Sequence, residues 1–141
     1  MIKAKDIMSE HVIVIYDDML ISQVAHLMLR DRVSAFPVVN KASGLVGIIT
    51  ITDLFKIMIE LSHGQDINAF YKHLPRIKEM KAGEVMSKAV YSIDPETSLY
   101  EIIERLLEKN IHTFPVMEDG KMVGIVGRHD ILNAVYLYEG T

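Results

Sequence analysis

Apolar residues recur along the chain first with the spacing of a β-strand and then with that of a helix. Short runs rich in β-branched residues cover 12–15 and 90–93, and turn-forming residues follow each run at 17–18 and 94–95. Apolar residues at intervals of three and four come next. They are Ile21, Val24, Ala25, Met28 and Leu29 in the first stretch, and Leu99, Ile102, Ile103, Leu106 and Leu107 in the second. We therefore predict a strand and then an amphipathic helix with an apolar stripe in each stretch.

The two predicted helices differ in how they begin. Ser98 precedes the second helix and Glu101 lies three residues later, which is the spacing of a capping box. Leu20 occupies the corresponding position before the first helix and has no side-chain oxygen, so we expect a weaker start there. Asn110 is predicted to end the second helix.

A β-hairpin and a closing helix are predicted after each of these helices. The hairpin strands are residues 36–39 and 45–51 around a turn at 41–44, and residues 114–117 and 122–126 around a turn at 119–120. Pro37 and Pro115 lack an amide donor, so we expect them at a strand start or at a sheet edge. Asp53 and Asp130 are predicted to open the closing helices.

The two halves of the chain are copies of each other. Residues 3–9 reappear as residues 81–87, an offset of 78 residues, and the same offset pairs Phe36-Pro37-Val38 with Phe114-Pro115-Val116. After one deletion in the first hairpin turn, Asp53 pairs with Asp130. We therefore predict repeats at 1–61 and 81–141, each with the order strand, helix, strand, strand, helix, in a mixed α+β (α/β-like) fold.

Residues 62–80 join the repeats and have no counterpart elsewhere in the chain. Gly64 and Pro75 interrupt this segment, and residues 66–74 are predicted to form a short helix. Two interpretations stay open, a solvated linker helix and a flap over a cleft or a dimer contact. The linker is favoured because most connections are only connections.

Composition excludes several classes of protein. Of the 141 residues, 50% are hydrophobic and 24% are charged, as in ordinary globular domains. The net charge of -4 offers no basic surplus for a nucleic-acid backbone, so no nucleic-acid partner is expected. The absence of cysteine excludes disulfides and thiolate zinc sites. No apolar run is long enough to cross a bilayer, so we expect a cytoplasmic protein without a membrane partner.

Catalytic interpretations find little support in the residues. The six histidines show no HExxH or comparable ligand spacing, and Ser9 and Ser87 lack the setting of a nucleophile elbow. We therefore expect no enzyme, no catalytic residues and no metal site.

The recurring motifs resemble the cystathionine-β-synthase (CBS) domain, and specifically the tandem CBS pair known as a Bateman module. The motifs are Ala-x-x-x-Met-Ser at each start, Phe-Pro-Val before each hairpin, and Val-Gly-Ile-x-x-x-x-Asp followed by Leu or Ile at each close. The resemblance covers nearly the whole chain, twice. It implies a pseudo-two-fold pair with two clefts between the repeats. Family members commonly bind AMP, ADP, ATP or S-adenosylmethionine there, and no further cofactor is required.

In the first repeat the resemblance makes Asp53 the ribose contact, with Thr50 helping at ribose or phosphate. The motif Gly47-Ile48-Ile49-Thr50-Ile51-Thr52-Asp53 is intact. A carboxylate can accept hydrogen bonds from two neighbouring hydroxyls. The alternative is that Thr50 and Asp53 only cap the following helix. Ligand contact is favoured, because capping alone does not require the whole motif.

The second repeat keeps Asp130 but replaces the hydroxyl with Gly127. Arg128 and His129 follow, and His112 lies beside Thr113 where some nucleotide-binding relatives place a phosphate-contacting histidine. Arginine forms bidentate bonds to phosphate, whereas a cation at a helix start opposes the helix dipole. Phosphate binding and a purely structural role remain equally open for these basic groups.

The resemblance also implies an apolar lining for the adenine base. The backbone of Val12 and Val90 matches positions that meet the adenine edge, and Phe36-Pro37 and Phe114-Pro115 match the wall beside the base. Packing into the core is the alternative for these residues, and it is the favoured one for the phenylalanine side chains.

These observations favour a regulatory module that senses an adenosyl ligand, with a ligand-free interaction scaffold as the alternative. The partner protein that would read the signal is unknown. Apolar residues near the C-terminus exceed what one CBS pair can cover, which predicts a homodimer. They are Leu132, Val135, Tyr136 and Tyr138.

Overall fold

The computed structural model describes residues 1–42, 44–62 and 66–137. Ser43 in the first predicted turn, Gly64 in the joining segment and Tyr138 near the C-terminus lie outside the described residues. The described part contains both helices and strands, which confirms the mixed α+β class. In chain order its elements are α1 (Ala4–Ile7), β1 (Ile15–Tyr16), α2 (Ile21–Asp31), β2 (Ala35–Asn40), β3 (Gly44–Thr50), α3 (Ile51–Leu61), α4 (Ile67–Lys78), α5 (Ala82–Val85), α6 (Leu99–Lys109), β4 (Thr113–Glu118), β5 (Lys121–Gly127) and α7 (Arg128–Tyr136).

The chain forms two compact units, and their boundaries differ from those of the sequence repeats. The first-repeat unit comprises residues 13–90, and the second-repeat unit comprises residues 1–12 together with the chain from residue 91 onward. Each unit therefore combines the main part of one repeat with the opening segment of the other. The ranges 1–61 and 81–141 therefore describe repeats in the sequence and not compact units of the structure.

In the first-repeat unit, strands β1, β2 and β3 form a sheet in that order. Strand β1 runs parallel to β2, and β2 runs antiparallel to β3. In the second-repeat unit, β4 and β5 form an antiparallel pair, and Ile93 adds a single parallel bridge to Val116. Both predicted hairpins are confirmed, although Ile51 begins α3 instead of ending β3.

The first strand of each repeat is much shorter than predicted, because of the two prolines. Ile93 donates its N–H to the Pro115 carbonyl at 2.9 Å, and Met117 donates to the Ile93 carbonyl at 2.8 Å. The next ladder bond toward the N-terminus would need an N–H at residue 115, which proline lacks. Pro37 interrupts the β1–β2 ladder at the equivalent position. The parallel pairing therefore covers only Ile15–Tyr16 in one repeat and Ile93 in the other.

The expected position of Pro37 was wrong. It is the third residue of β2, which is the central strand of its sheet. Proline is tolerated there because β1 pairs with β2 only from Val38 onward. Pro115 lies in a two-stranded sheet, so its strand has an edge on the side of the missing donor.

The helix boundaries follow their local signals. Ser98 accepts a hydrogen bond from the Glu101 N–H at 3.2 Å, and Asn110 ends α6 in the left-handed conformation, as predicted. Leu20 makes no side-chain cap, and the Gln23 side chain accepts from its N–H at 3.0 Å instead. The Glu101 carboxylate accepts from Arg105 at 2.9 Å.

The predicted apolar stripes are wider than the buried faces of the helices. Leu29 is 81% exposed and Leu107 is 75% exposed, so both stripe residues lie outside the buried face. At about 100° per residue, Leu29 lies about 80° around the helix from Ile21, at the margin of the stripe. The opposite margin, at Val24 and Ile102, is fully buried.

The joining segment is not a fully solvated linker. Helix α4 covers the predicted residues 66–74 almost completely and continues past Pro75 to Lys78. Ile77 is buried in the core of the first-repeat unit, and Leu74 packs against that core. The described part of the segment therefore contributes to the stability of this unit.

The opening segment of each repeat docks onto the hairpin of the other repeat. Ser9 and Ile125 exchange two backbone hydrogen bonds of 2.9 and 3.0 Å in the second-repeat unit. Ser87 and Ile48 do the same at 2.8 and 2.9 Å in the first-repeat unit. The short helices α1 and α5, which the sequence did not predict, precede these contacts.

Candidate functional site

The motif of the first repeat closes around the start of α3. Thr50 is the cap residue, and its Oγ1 accepts from the Asp53 N–H at 3.1 Å. The Oδ2 atom of Asp53 accepts from the Thr50 N–H at 2.8 Å. Asp53 is the third residue of the helix, not its first. The two residues thus form a capping box, which is the structural role that the sequence left open.

The second repeat keeps half of this arrangement. Asp130 Oδ2 accepts from the Gly127 N–H at 2.8 Å, and Asp130 is again the third residue of its helix. Gly127 supplies no hydroxyl for the return bond. A Cβ atom at Gly127 would lie 3.7 Å from Asp130 Oδ2, so the space there accommodates alanine. Packing therefore does not explain the glycine.

Capping uses only one oxygen of each aspartate. Within residues 1–42, 44–62 and 66–137, the Oδ1 atoms of Asp53 and Asp130 make no hydrogen bond. Both side chains are half-buried. Each repeat thus presents one free carboxylate oxygen at the same place in the fold, and this oxygen can accept a hydrogen bond from a ligand hydroxyl.

Two basic residues meet at the end of the second hairpin. Thr113 pairs with Gly127 as the last pair between β4 and β5, so His112 and Arg128 are the next residues on the two sides. We call these two residues the basic corner. Burial and the positive charge of Arg128 both lower the pKa of His112. An anion bound at this place would offset the positive charge of Arg128.

The corresponding corner of the first repeat carries no charge. Ala35 pairs with Thr50 there, and Ser34 and Ile51 are the next residues. The Ile51 N–H donates to the Ser34 carbonyl at 3.0 Å, so the backbone geometry is defined. We call these two residues the neutral corner. The two corners therefore hold equivalent positions in the strand register and differ in charge.

His129 does not join the basic corner in the described part of the chain. It is exposed, and no hydrogen bond or ion pair connects it with His112 or Arg128. The structure thus brings together two of the three basic groups that the sequence singled out. Asn110, which the sequence assigned only to the end of α6, lies 3.0 Å from His112 Nε2 through its Oδ1 atom. The hairpin register could have revealed the pairing of the corner, but not this side-chain contact.

The aromatic and proline side chains predicted to line the base lie in the cores of the two units. Phe36 and Pro37 are fully buried in the first-repeat unit, and Phe114 and Pro115 are fully buried in the second-repeat unit. This placement agrees with core packing, the alternative favoured for the phenylalanines. A contact of these residues with a ligand remains a prediction.

Val12 and Val90 are half-buried and lie outside the strands. In the described residues, neither backbone amide nor carbonyl of these two valines forms a hydrogen bond. Val12 belongs to the second-repeat unit and Val90 to the first-repeat unit. Their backbone groups are thus available to a ligand, which is what the predicted role requires.

Apart from these residues, the strongest electrostatic feature joins α1 to the turn before α6. Glu96 forms salt bridges with Lys3 and, at 2.9 Å, with Lys5. These hydrogen bonds, first with Lys3 and then with Lys5, lower the pKa of Glu96 to about 2. No helix in the described part is both long and apolar enough to span a membrane. The described residues also contain no group of three metal-ligating side chains.

Comparison with known sequences identifies the repeated unit. The sequence model of the CBS domain matches residues 4–60 and 82–137. An uncharacterized protein of Methanocaldococcus jannaschii (MJ1426) is 29% identical over 93% of this chain and 89% of its own. The CBS domain-containing protein CBSX1 of Arabidopsis chloroplasts is 26% identical, over 81% of this chain and 55% of its own. The chain thus spans about half of this longer relative.

Solved structures share the fold. The CBS domain of a membrane protein from Sphaerobacter thermophilus is 29% identical, with a TM-score of 0.71 over 97% of this chain and 90% of its own. CBSX2 in complex with AMP is 23% identical, with a TM-score of 0.76 over 94% of this chain and 95% of its own. At this identity the second comparison supports the fold alone.

Proposed function

The chain belongs to the CBS domain family, and we propose on that basis that it is a regulatory module that binds an adenosyl compound. Each of its two CBS domains contributes one free aspartate oxygen for the ribose. The ligand is AMP, ADP or ATP in the first place and S-adenosylmethionine in the second. Binding changes the stability of the fold, and a partner protein reads that change.

One observation carries this proposal. Asp53 and Asp130 occupy the same place in the two repeats, and each keeps Oδ1 free while Oδ2 holds the start of a helix. The cap fixes the carboxylate in one orientation, so the free oxygen is preorganised for a hydroxyl donor.

Other observations agree with an adenosyl ligand. Val12 and Val90 have free backbone groups of the kind that recognise a base edge. The basic corner supplies a site for phosphate in the second-repeat unit, because arginine binds phosphate oxygens in pairs. The complex of CBSX2 with AMP is a property of that protein. It makes AMP a reasonable first ligand to test.

The test is a thermal-shift panel of AMP, ADP, ATP, S-adenosylmethionine and NAD, with GTP and free phosphate as controls at equal ionic strength. A ligand at a hundredfold excess over its Kd stabilises the folded state by about 2.7 kcal/mol. For a chain of this size the Tm should rise by several degrees. We expect adenine nucleotides to give the largest rise. If no adenosyl compound at millimolar concentration changes the Tm, and the purified protein carries none, the proposal fails.

A ligand-free interaction scaffold is the second candidate. Exposed apolar residues favour it, because Phe55 and Ile59 follow one face of α3 and Leu132 and Tyr136 follow one face of α7. Such faces usually pack against another protein surface. Both candidates predict a homodimer, so only ligand binding separates them.

A further inference from the structure

Two methionines lie directly over glycines of the hairpins. A Cβ atom at Gly124 would lie 2.5 Å from Met8 Sδ, and one at Gly47 would lie 2.5 Å from Met86 Sδ. Both glycines are buried, whereas both methionines are half-buried and pack against the core of their own unit. Each methionine therefore covers a buried stretch of backbone and keeps partial access to solvent.

The backbone contact that docks each opening segment is next to its methionine in the chain. Ser9, which follows the first methionine, exchanges two hydrogen bonds with Ile125. Ser87, which follows the second, exchanges two hydrogen bonds with Ile48. Because the thioether contact adjoins these hydrogen bonds, a chemical change at the sulfur acts on the docking of the segment.

Methionine is the most readily oxidised side chain of this protein, since the chain has nine methionines and no cysteine. A peroxide transfers one oxygen atom to the sulfur. The O–O bond breaks, an S–O bond forms, the sulfur is oxidised by two electrons, and the rest of the peroxide leaves as water or an alcohol. The product, methionine sulfoxide, is polar where the thioether is apolar.

A sulfoxide at either position opposes docking for two reasons. The added oxygen enlarges a sulfur that already lies against the glycine backbone. It is also a strong hydrogen-bond acceptor, and its burial without a partner is unfavourable. A released segment removes both problems, because its side chain is then surrounded by water.

We infer that Met8 and Met86 are peroxide-oxidation sites of this module, and that their oxidation releases the opening segments from the hairpins. The modification is reversible, because a reductase that supplies two electrons from a dithiol restores the thioether and forms water. The repeat provides the site twice, once in each unit.

Release of a segment also acts on the proposed ligand site. Val12 and Val90 each lie four residues after one of the two methionines. Val12 shares its unit with Asp130, and Val90 shares its unit with Asp53. An undocked segment therefore separates the backbone proposed to meet the base from the carboxylate proposed to meet the ribose. This effect on ligand affinity rests on the proposed function, whereas the oxidation and the release do not.

The experiment treats the protein with hydrogen peroxide, locates the sulfoxides by peptide mapping and measures the Tm without ligand. Met8→Leu/Met86→Leu is the test variant, because leucine is apolar, is similar in size and resists peroxide. Met117→Leu/Met122→Leu is the matched control. It also removes two half-buried methionines, which face each other across β4 and β5.

We expect peroxide to lower the Tm of the wild-type protein and of the matched control by about 5 °C or more. The Tm of the test variant should stay unchanged. Methionine sulfoxide reductases should restore the wild-type Tm. In titration calorimetry, oxidation should raise the AMP Kd of the wild-type protein by roughly threefold to tenfold, since only the docked fraction binds. The AMP Kd of the test variant should not respond to peroxide.

An equal loss of Tm in the wild-type protein and the test variant would overturn the inference. The wild-type protein alone gives a second measurement, which does not depend on how the variants fold. Its Tm should fall in step with sulfoxide at Met8 and Met86, and not with sulfoxide at the fully exposed Met1. Complete oxidation at both sites with no change in Tm, or no oxidation there once Met1 is fully oxidised, would also overturn it.

The ligand measurement separates this inference from the proposed function. A lowered Tm with unchanged AMP affinity would overturn the link between the segments and the ligand site. Failure of the untreated protein to bind any adenosyl compound would overturn the proposed function itself. The oxidation sites would still be tested in that case, because the Tm is measured without ligand.

Discussion

At the residue scale, the two carboxylate oxygens of Asp53 differ in their surroundings, and so do those of Asp130. One oxygen accepts from a backbone N–H and holds a helix start, while the other stays free of protein partners in the described part. The structural and ligand-binding interpretations of these residues are therefore compatible. Sequence alone could not reveal this, because a motif names the residue but not which of its oxygens is engaged.

Substitutions at Asp53 separate the two roles. Asp53→Ala removes the hydrogen bond to the Thr50 N–H and should lower the free energy of unfolding by about 1 kcal/mol. Asp53→Asn keeps one oxygen for the cap and replaces the free oxygen with a donor, so it should lower stability much less. Urea unfolding without ligand measures both effects. Equal losses in the two variants would mean that the charge of Asp53, not its hydrogen bond, supports the helix.

At the scale of the elements, a methionine of each opening segment packs closely against a glycine of the hairpin onto which that segment docks. A Cβ atom at Gly47 would lie 2.5 Å from Met86 Sδ and 2.7 Å from the Ser87 carbonyl oxygen. A Cβ at Gly124 would lie 2.5 Å from Met8 Sδ and 3.1 Å from the Ser9 carbonyl oxygen. These close approaches explain why Met-Ser and Val-Gly-Ile recur together in both repeats.

Alanine at these glycines should displace the docked segment. Gly47→Ala forces a backbone oxygen to move, so it should destabilise the protein by about 1–3 kcal/mol. Gly124→Ala should cost less, because the main obstacle is a flexible methionine side chain. Gly127→Ala is the matched control, since its Cβ meets no atom closer than 3.7 Å. Chemical unfolding that ranks Gly127→Ala as the most damaging change would contradict this docking.

The Glu96 salt bridges tie α1 to the turn before α6, and they predict a specific acid response. The folded-state pKa of Glu96 is about 2, below its ordinary value of 4.5. The interaction is therefore complete above the ordinary pKa and is lost as the pH falls through about 2. NMR titration of the Glu96 carboxyl should give a midpoint near 2 that rises in Lys3→Ala and Lys5→Ala. An unchanged midpoint in both variants would exclude these lysines as its cause.

Local sequence signals predicted the helices and hairpins but not the extent of pairing between distant segments. Ser98 and Asn110 act on their own helix, so α6 begins and ends where expected. The length of β1 depends on a proline in a neighbouring strand, which periodicity within residues 12–15 cannot reveal. Leu29 shows the same limit, because its exposure depends on which side of the stripe the core covers.

The candidate site was predictable to a similar degree. The equivalence of Asp53 and Asp130 followed from the repeat, but each closing helix begins two residues before its aspartate. His129 lies outside the basic corner, whereas Asn110 contacts His112. Both facts depend on side-chain directions, which the spacing of residues along the sequence does not define.

At the scale of the whole molecule, exposed apolar faces predict self-association. Leu132 and Tyr136 lie on one face of α7 and are exposed, and Tyr138 lies outside the described residues. A two-fold dimer that covers this face is the simplest assembly. Light scattering at tens of micromolar should give the mass of a dimer, and Leu132→Glu should give that of a monomer. Leu107→Glu, an exposed leucine on α6, is the control, and a monomeric wild-type protein would contradict the prediction.

Counting the bound ligands tests the central claim most directly. Titration calorimetry with AMP should give two sites in the wild-type chain and one site in either Asp53→Asn or Asp130→Asn. The double variant should fold with nearly wild-type stability and bind no AMP, because its caps persist while both ribose acceptors are gone. Undiminished AMP binding by the folded double variant would show that the two aspartates only cap their helices, which would contradict the account.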